Sequence, residues 1–258
     1  MTIFRVPLAL ALVAWLLPLN AAEPATTPAN DPLLSDALAA EARFDAKAAL
    51  DLFLKADAAR PDDPFILQKI SRQYSDLTLD TADVAEKKRL CSAALAAAQR
   101  AVSLRPNNPV NVLSLSICYG KLGMYADTRT KIAYSRLVRE HAERALALDP
   151  AYDYAHHVLG RWHYEVATLG LPTRFIVKLI YGGLPNASTA EAVLSLQRAT
   201  ELSPQLPSHR VELGFALLAD GQRDAAKKTF EQALAMPQRE KYDSEAWNRA
   251  RTALEKFH

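Results

Sequence analysis

The sequence predicts an all-α protein, an α-solenoid of about five antiparallel helix pairs with extended helices and a C-terminal capping helix. Half of the 258 residues are apolar but only eight are glycine, a composition that favours packed helices over a sandwich or barrel of strands. A phrase that ends a helix recurs along the chain: FLKADAARP, AAQRAVSLRP, AERALALDP, LQRATELSP and FEQALAMP. Such recurrence is typical of stacked repeats, in which each unit buries its apolar face against its neighbours.

One alanine of each phrase marks the repeat register: Ala56, Ala101, Ala145, Ala199 and Ala233. Successive alanines are 45, 44, 54 and 34 positions apart, and about 34 residues is the length of a tetratricopeptide repeat, or TPR. The last unit resembles that repeat, with Leu213 and Gly214 on its first helix, Gly221 at its turn and Phe230 on its second helix. Small residues at such positions let two antiparallel helices approach closely.

The longer units exceed 34 residues by 11, 10 and 20. Ten or eleven residues equal about three helical turns, so the stretches 80–89 and 126–135 are expected to lengthen helices without rotating their buried faces. The 20-residue insertion, roughly 166–184, carries an apolar run from Phe175 to Tyr181 in which only Lys178 is charged. A helix that is apolar nearly all round is buried in something: the groove of the stack, a partner, or lipid.

The ends of the chain differ from the repeats. Residues 1–22 have the layout of a signal peptide, or alternatively of a short membrane anchor, and 23–30 read as a Pro/Thr linker before a repeat domain at 31–258. Cleavage predicts an exported protein, periplasmic or otherwise extracytoplasmic, without a transmembrane span in the mature chain. Anchoring predicts attachment to a membrane by the N-terminus. A last helix near 243–257 is expected to cap the stack, with Asp243 or Ser244 accepting a first-turn amide.

Charge and cysteine content exclude several function classes. The chain has 31 basic and 29 acidic residues, so nothing in its charge calls for nucleic acid as a partner. Cys91 and Cys118 lie 27 positions apart without a pairing or metal motif. They could form a bridge in an oxidising compartment, but the favoured interpretation is two small core residues. No metal or cofactor is predicted.

A cluster of histidines and aromatics, HHVLGRWHYE, begins at His156. In the repeat register it is the first helix of the fourth unit. His156 and His163 lie about 10.5 Å apart along a helix axis, too far for both to bind one zinc ion at about 2.1 Å. His157, His163 and Glu165 lie on different helix faces, whereas acid-base catalysis needs groups that converge on one atom. The cluster is therefore predicted to be scaffold and groove wall, and the protein is predicted not to be an enzyme.

The first helices of such a stack form a concave face, which is where TPR arrays usually bind ligands. The candidate groove residues are Arg72, Leu113, Ile117, Lys121, Tyr154, His157, Arg161, Tyr164, Phe215 and Leu218. The leading hypothesis is a non-enzymatic scaffold that binds a protein or peptide there. The alternative is binding or transfer of a lipid or other apolar ligand, with insertion 166–184 as a lid over Leu113, Ile117, Phe215 and Leu218.

Three longer stretches carry a more specific resemblance: ILQKISRQYSDLTLDTADVAEKKRLCSAALAAAQRAVSLRPNN, KIAYSRLVREHAERALALDP and HHVLGRWHYEVATLGLPTRFIVKLIYGGLP. Their order and insertion lengths resemble the regulator of microtubule dynamics family, a group of TPR-like proteins. The resemblance spans roughly Phe65 to Pro237. It implies a helical scaffold that acts by association, with microtubule contact as the activity for which the family is named. It supplies no catalytic residues and no short microtubule-binding motif.

Overall fold

A computed structural model describes residues 31–170, 178–180 and 182–257. Its helices are α1 (Pro32–Ala42), α2 (Ala46–Ala59), α3 (Pro64–Leu77), α4 (Val84–Leu104), α5 (Pro109–Gly123), α6 (Thr128–Leu148), α7 (Asp153–Ala167), α8 (Thr189–Leu202), α9 (Pro207–Ala219), α10 (Arg223–Leu234) and α11 (Asp243–Leu254), followed by a 3-10 turn at Glu255–Phe257. Neighbouring helices from α1 to α10 form five pairs, and α11 follows them. The described ranges contain helices but no strand, which confirms the predicted all-α solenoid.

Residues 1–22 and 23–30 lie outside the described ranges, so the signal peptide, the anchor and the linker stay predictions. Among the described helices, none is both long and apolar enough to cross a membrane.

Most helices begin at a carboxylate or amide side chain that accepts a hydrogen bond from a backbone N–H of the first turn. Asp31, Asp63 and Asn108 do so immediately before a proline, which fits the first helical position because it has no N–H to satisfy. Asp45, Asp83 and Asp127 cap the second helices α2, α4 and α6 in the same way. In the first three pairs, the helix starts are therefore visible in the sequence: Asp–Pro or Asn–Pro marks the start of the first helix, and Asp marks the start of the second.

The predicted small-residue seams lie inside the stack. All five register alanines are at most 1% exposed. A Cβ built on Gly160 would lie 2.7 Å from Leu196 Cγ, and one on Gly214 would lie 2.5 Å from Phe230 Cε1. Glycine at these two positions is required by the close approach of the second helix of the same pair.

The 10- and 11-residue insertions lengthen second helices, as expected. α4 and α6 have 21 residues each, against 14 in α2 and α8 and 12 in α10. The longer insertion lies between α7 and α8. Residues 171–177 and 181, and with them the apolar run from Phe175 to Val177 and Tyr181, lie outside the described ranges. The neighbouring Leu179 and Ile180 are 73% and 63% exposed.

The capping helix α11 packs against α9 and α10. Trp247 donates its indole N–H to the carbonyl of Ala233 at 2.9 Å, and Phe257 packs near Phe230. The helix cap expected at Asp243 or Ser244 is not formed. The Asp243 carboxylate accepts the backbone N–H groups of Arg239 and Glu240, which precede α11. Asp243 therefore shapes the segment that leads into the cap.

Both cysteines are free and buried. Cys118 lies 3.5 Å from the hydroxyl of Ser71, between α3 and α5. Burial raises the pKa of the Cys118 thiol to about 11, and burial also raises the pKa of Cys91. The two residues act as small core side chains, in line with the favoured interpretation.

Candidate binding groove

The inner faces of the first helices enclose a cavity of about 1270 Å³, here called the concave groove. Its wall runs from α3 through α5 and α7, with α6 on one side and residues 240 and 242 on the other. A cavity of this size exceeds the range of about 300–1,000 Å³ that is typical of small-molecule sites. The fold therefore offers room for an extended segment of chain.

Six of the ten predicted groove residues line the cavity: Arg72, Ile117, Lys121, Tyr154, His157 and Arg161. Each comes from a first helix, α3, α5 or α7. The repeat register thus identified the helix faces that converge in the middle of the stack.

The other four predicted residues lie elsewhere. Leu113 is fully buried in a core cluster with α6 and α7, so it offers no surface to a ligand. Tyr164, Phe215 and Leu218 pack against the core cluster that holds α11, and the Arg249 guanidinium stacks 4.6 Å from the Phe215 ring. Leu113 is buried and Phe215 and Leu218 are half-buried outside the concave groove, so these three residues do not form one open surface for a lid.

Residues 237–242, which link α10 to α11, contain no helix and lie across the groove. We call this segment the connector. Glu240 bonds Arg72 Nη2 of α3 at 2.5 Å and accepts the Tyr154 hydroxyl of α7 at 2.8 Å. Lys241 Nζ lies 2.5 Å from Asp80, just after α3. The connector therefore joins the end of the fifth helix pair to the second, and the stack curves far enough to close on itself.

The connector is anchored at its C-terminal end by Tyr242. Arg161 donates to the Tyr242 hydroxyl at 3.0 Å, and this hydroxyl donates to Glu212 at 3.3 Å. Glu212 is only 1% exposed and receives Arg249 Nη1 of the capping helix at 2.5 Å. The pKa of the Arg161 guanidinium is raised, and the buried Glu212 carboxylate is the largest cause. These ion pairs fasten α7, α9 and α11 to one another.

Three polar side chains form a relay between α7 and α9. His209 is fully buried, with Nε2 at 3.1 Å from Asp153 and Nδ1 at 2.9 Å from Nδ1 of His157. If the Asp153 carboxylate accepts the Nε2 proton, His209 offers Nδ1 as an acceptor and His157 donates to it. Burial, and next the neighbouring His209, lower the pKa of His157 well below its usual value. The relay therefore holds a neutral imidazole against the groove.

One side of the groove is apolar. It lies between the second half of α5, the first half of α6 and the end of α7, and its aliphatic and aromatic lining comprises Ile117, Ile132, Val138, Trp162, Val166, Leu169 and Leu184. We call it the apolar branch. Leu184 belongs to the long insertion, and the carbonyl of Gly183 accepts a hydrogen bond from Arg136 of α6. The described part of the insertion thus lies beside α6, away from Phe215 and Leu218.

Sequence reasoning missed His209, Glu212, Glu240 and Tyr242. His209 occupies the register position held by Ile66 in α3, Asn111 in α5 and Ala155 in α7, and these three residues are buried. A histidine at a buried register position is a signal that could have found it. Glu240 and Tyr242 lie in a short segment outside the repeat, and no periodicity places that segment near α3.

In the parts of the chain that the structure describes, no three His, Cys, Asp or Glu side chains are arranged to hold a metal ion. His163 is buried beside Trp162, and the Trp162 indole N–H donates to Ser135 of α6 at 2.9 Å. His156 contacts the carbonyl of Pro150. The histidine cluster of α7 is thus distributed over three environments.

Paired helices, small-residue seams and a concave groove define the class of protein as a TPR-like helical-repeat protein. A thermophilic TPR protein from Thermus thermophilus has a similar solved structure, with a TM-score of 0.62 over 86% of this chain and 97% of that chain, at 23% identity. Likeness at this identity shows the fold. The family model described as Regulator of microtubule dynamics protein 1-3 matches residues 34–258, and the chain belongs to that family.

Two curated relatives illustrate the distance within the family. Regulator of microtubule dynamics protein 3 from Xenopus laevis is 29% identical over 189 residues, which cover 70% of this chain and 41% of the relative. Regulator of microtubule dynamics protein 1 from Bos taurus is 29% identical over 153 residues, which cover 59% of this chain and 48% of the relative. The matched part of the chain thus spans less than half the length of these relatives.

Proposed function

We propose that the chain is a non-enzymatic scaffold that binds an extended segment of a protein partner in the concave groove. The observation that carries the proposal is the open cavity of about 1270 Å³, which is walled by first helices of three successive pairs. A TPR-like fold and membership of the family support a protein partner. Fixed polar groups beside apolar positions such as Ile117 and Val158 suit a peptide with both kinds of side chain.

Blocking the groove tests this proposal. Gln68 lines the groove from α3 and is half-buried, so Gln68→Trp places a large ring in the path of a peptide. Gln99→Trp on the exposed face of α4 is the matched control, since it adds the same ring outside the groove. Purified wild-type chain and both variants would be used to capture partners, which are then identified by mass spectrometry. Partners should be lost with Gln68→Trp and kept with Gln99→Trp; equal capture by both variants would remove the proposal.

Microtubules are the partner that the relatives' names suggest. We propose them only for a cytosolic form of the chain, because the predicted signal peptide directs it to another compartment. Intact-mass measurement of the mature N-terminus decides which compartment applies. Co-sedimentation with polymerised tubulin then tests the contact, and a Gln68→Trp variant that pellets as wild type would place any such contact outside the groove.

The absence of enzymatic activity is part of the proposal. The Asp153–His209–His157 relay resembles an oriented base, but nucleophilic catalysis also needs a hydroxyl or thiol within hydrogen-bond reach of that base. The observed partner of His157 is His209. Hydrolysis of any ester, amide or phosphate substrate that is lost in His157→Ala would contradict this part of the proposal.

A second candidate function rests on the apolar branch. The aliphatic and aromatic side chains that line it would suit the acyl chain of a lipid. The described insertion residues Val166, Leu169 and Leu184 form part of this lining. This site differs from the one expected for a lid, since Leu113, Phe215 and Leu218 take no part. Native mass spectrometry of several preparations tests it. A bound lipid that is lost in Ile132→Glu would support the candidate, and a lipid-free chain in every preparation would exclude it.

A further inference from the structure

We propose that Arg72 and Tyr154 form a carboxylate seat for the peptide partner, and that Glu240 of the connector occupies this seat until an acidic segment displaces it. The inference rests on the proposed groove function and names the chemistry of its ligand: an extended peptide that presents a glutamate or aspartate side chain. A peptide's terminal carboxylate has the same chemistry, and the experiment below separates the two sources.

The geometry of the seat is that of a carboxylate-binding site. One oxygen of Glu240 bonds to Arg72 Nη2 at 2.5 Å, and the other accepts the Tyr154 hydroxyl at 2.8 Å. The donors come from α3 and α7, which belong to the second and fourth helix pairs. Because two independent helices converge on the two oxygens of one carboxylate, the position of the anion is set by the scaffold. Hydrogen bonds to an ionised group are also stronger than neutral ones.

The charge around the seat favours an anion. Arg72 Nε lies 3.3 Å from Glu41 and 3.8 Å from Asp76, and Lys69 Nζ lies 2.6 Å from Glu41. Lys121 faces the same region, where it donates to the carbonyl of Ser75 at 2.7 Å. Without Glu240, three cations would thus face two carboxylates. A second carboxylate-bearing chain is therefore favoured in place of Glu240, whereas a cationic or neutral one is not.

Glu240 can leave the seat without unfolding the stack. It lies in the connector, where the backbone N–H groups of residues 239 and 240 are held by the Asp243 carboxylate. Rotation of the Glu240 side chain therefore frees the seat while the connector backbone stays in place. Glu240, Arg72 and Tyr154 all line the concave groove, so an incoming carboxylate reaches the seat from the cavity. An intramolecular occupant of this kind weakens the apparent affinity for a partner by the fraction of time that it fills the seat.

Fluorescence anisotropy with synthetic peptides tests the proposal on the full chain at low salt. The probe is a fluorescein-labelled hexaglutamate with an amidated C-terminus. Amidated hexaglutamine is the uncharged control, and hexaglutamine with a free C-terminus shows whether a terminal carboxylate suffices. Hexaglutamate should bind and amidated hexaglutamine should not, since only the former carries a carboxylate.

The variants decide what the seat contributes. Glu240→Gln removes the competing charge and keeps the shape, so hexaglutamate should bind about tenfold more tightly, the scale of one charge-assisted hydrogen bond. Glu231→Gln on the exposed face of α10 makes the same change in net charge away from the groove and should leave the affinity at the wild-type value. Arg72→Gln should abolish binding. Tyr154→Phe, which keeps the ring and the packing, should weaken it if Arg72→Gln proves poorly folded.

The outcomes separate this inference from the proposed function. Hexaglutamate binding that is blocked by Gln68→Trp but unchanged by Glu240→Gln and Tyr154→Phe would uphold the groove and overturn the seat. If hexaglutamate binds neither wild type nor Glu240→Gln, the seat is also overturned, because a freed seat should bind a carboxylate. Equal tightening in Glu240→Gln and Glu231→Gln would show a general charge effect and would overturn it as well. Partner capture with Gln68→Trp and Gln99→Trp tests the groove itself independently of these results.

Discussion

Alanine in place of Gly214 or Gly160 should destabilise the protein, although alanine is the better helix former. A Cβ on Gly214 would meet Phe230 Cε1 at 2.5 Å, and Phe230 is fully buried, with Phe215 packed against it at a centroid distance of 4.9 Å. At Gly160 the Cβ would meet Leu196 at 2.7 Å and the carbonyl oxygen of Ala192 at 3.1 Å. The ring and the helix backbone would both have to move.

The magnitude follows from two opposing effects. Overpacking of a dense core costs about 1–3 kcal/mol, and replacing a helical glycine by alanine returns up to about 1 kcal/mol. We therefore expect Gly214→Ala to lower the free energy of unfolding by about 1–2 kcal/mol. Gly160→Ala should cost somewhat more, because a backbone oxygen cannot rotate away as a side chain can.

Gly120→Ala is the matched control. It lies in α5, where the nearest atom to a new Cβ is Val138 Cγ2 at an ordinary 3.7 Å. With no overpacking, only the gain in helix propensity remains, so this variant should be more stable than wild type by up to about 1 kcal/mol. The substitutions are chemically identical, but Gly120→Ala is expected to raise the free energy of unfolding, whereas Gly214→Ala and Gly160→Ala are expected to lower it.

Urea unfolding followed by circular dichroism measures both effects. The three variants should share one denaturant slope and differ in midpoint, since the surface exposed on unfolding is unchanged. In the double variant Gly214→Ala/Phe230→Leu, the loss should be smaller than the sum of the single losses, because the smaller side chain makes room for the methyl group. A Gly214→Ala protein that is as stable as Gly120→Ala would refute the close approach of α9 and α10.

Three further predictions concern buried ionisable groups. Burial holds His157 neutral in the folded chain, whereas the unfolded chain takes up a proton below about pH 6.5. The free energy of unfolding that this residue contributes is therefore present above that pH and is lost as pH falls, by about 1.3 kcal/mol between pH 7 and pH 5.5. When the free energy of unfolding in urea is plotted against pH, His157→Gln should flatten this part of the curve. An unchanged curve would contradict the argument. Burial raises the pKa of Cys118 to about 11, so iodoacetamide at neutral pH should leave this thiol unmodified in the native chain and alkylate it in urea, as measured by intact mass. Fast labelling of the native chain would show that the packing between α3 and α5 opens. Glu212→Ala should lower the free energy of unfolding by about 3 kcal/mol or more, because Arg249 and Arg161 lose a buried counter-ion. Limited proteolysis of this variant should release α11 first. A stability equal to that of wild type would show that the ion pairs contribute nothing.

The repeat architecture could be predicted because its determinants are local. Ala56 and its four counterparts recur in one register, and the asparagine or aspartate before each Pro at 32, 64 and 109 caps a helix within three residues. The lengths of α4 and α6 followed from whole numbers of helical turns. Such features need no knowledge of distant contacts.

The candidate site was only partly predictable, since its two ends depend on contacts across the fold. The register placed Arg72 and Arg161 on the inner face, where they line the groove. Nothing local indicates that Phe215 and Leu218 pack against the core cluster that holds α11. Leu113 shares the spacing of groove residues and is nevertheless fully buried, because α6 and α7 pack against that side of α5. The partner of Arg72 lies 168 positions away, and a pattern search along the chain does not connect such residues.

The contact between Arg72 and Glu240 also bears on how the protein is made. Ribosomes release the chain from its N-terminus, so the second helix pair leaves the exit tunnel well before residue 240 exists outside it. Until then the inner face of α3 has no connector over it, and the position that Glu240 takes beside Arg72 is open to any acidic sequence nearby. Stalled nascent chains in which residue 240 is still inside the tunnel, and stalled chains extended at the C-terminus until it has emerged, should therefore differ in their retention on an acidic matrix. The chains with residue 240 inside the tunnel should be held more strongly.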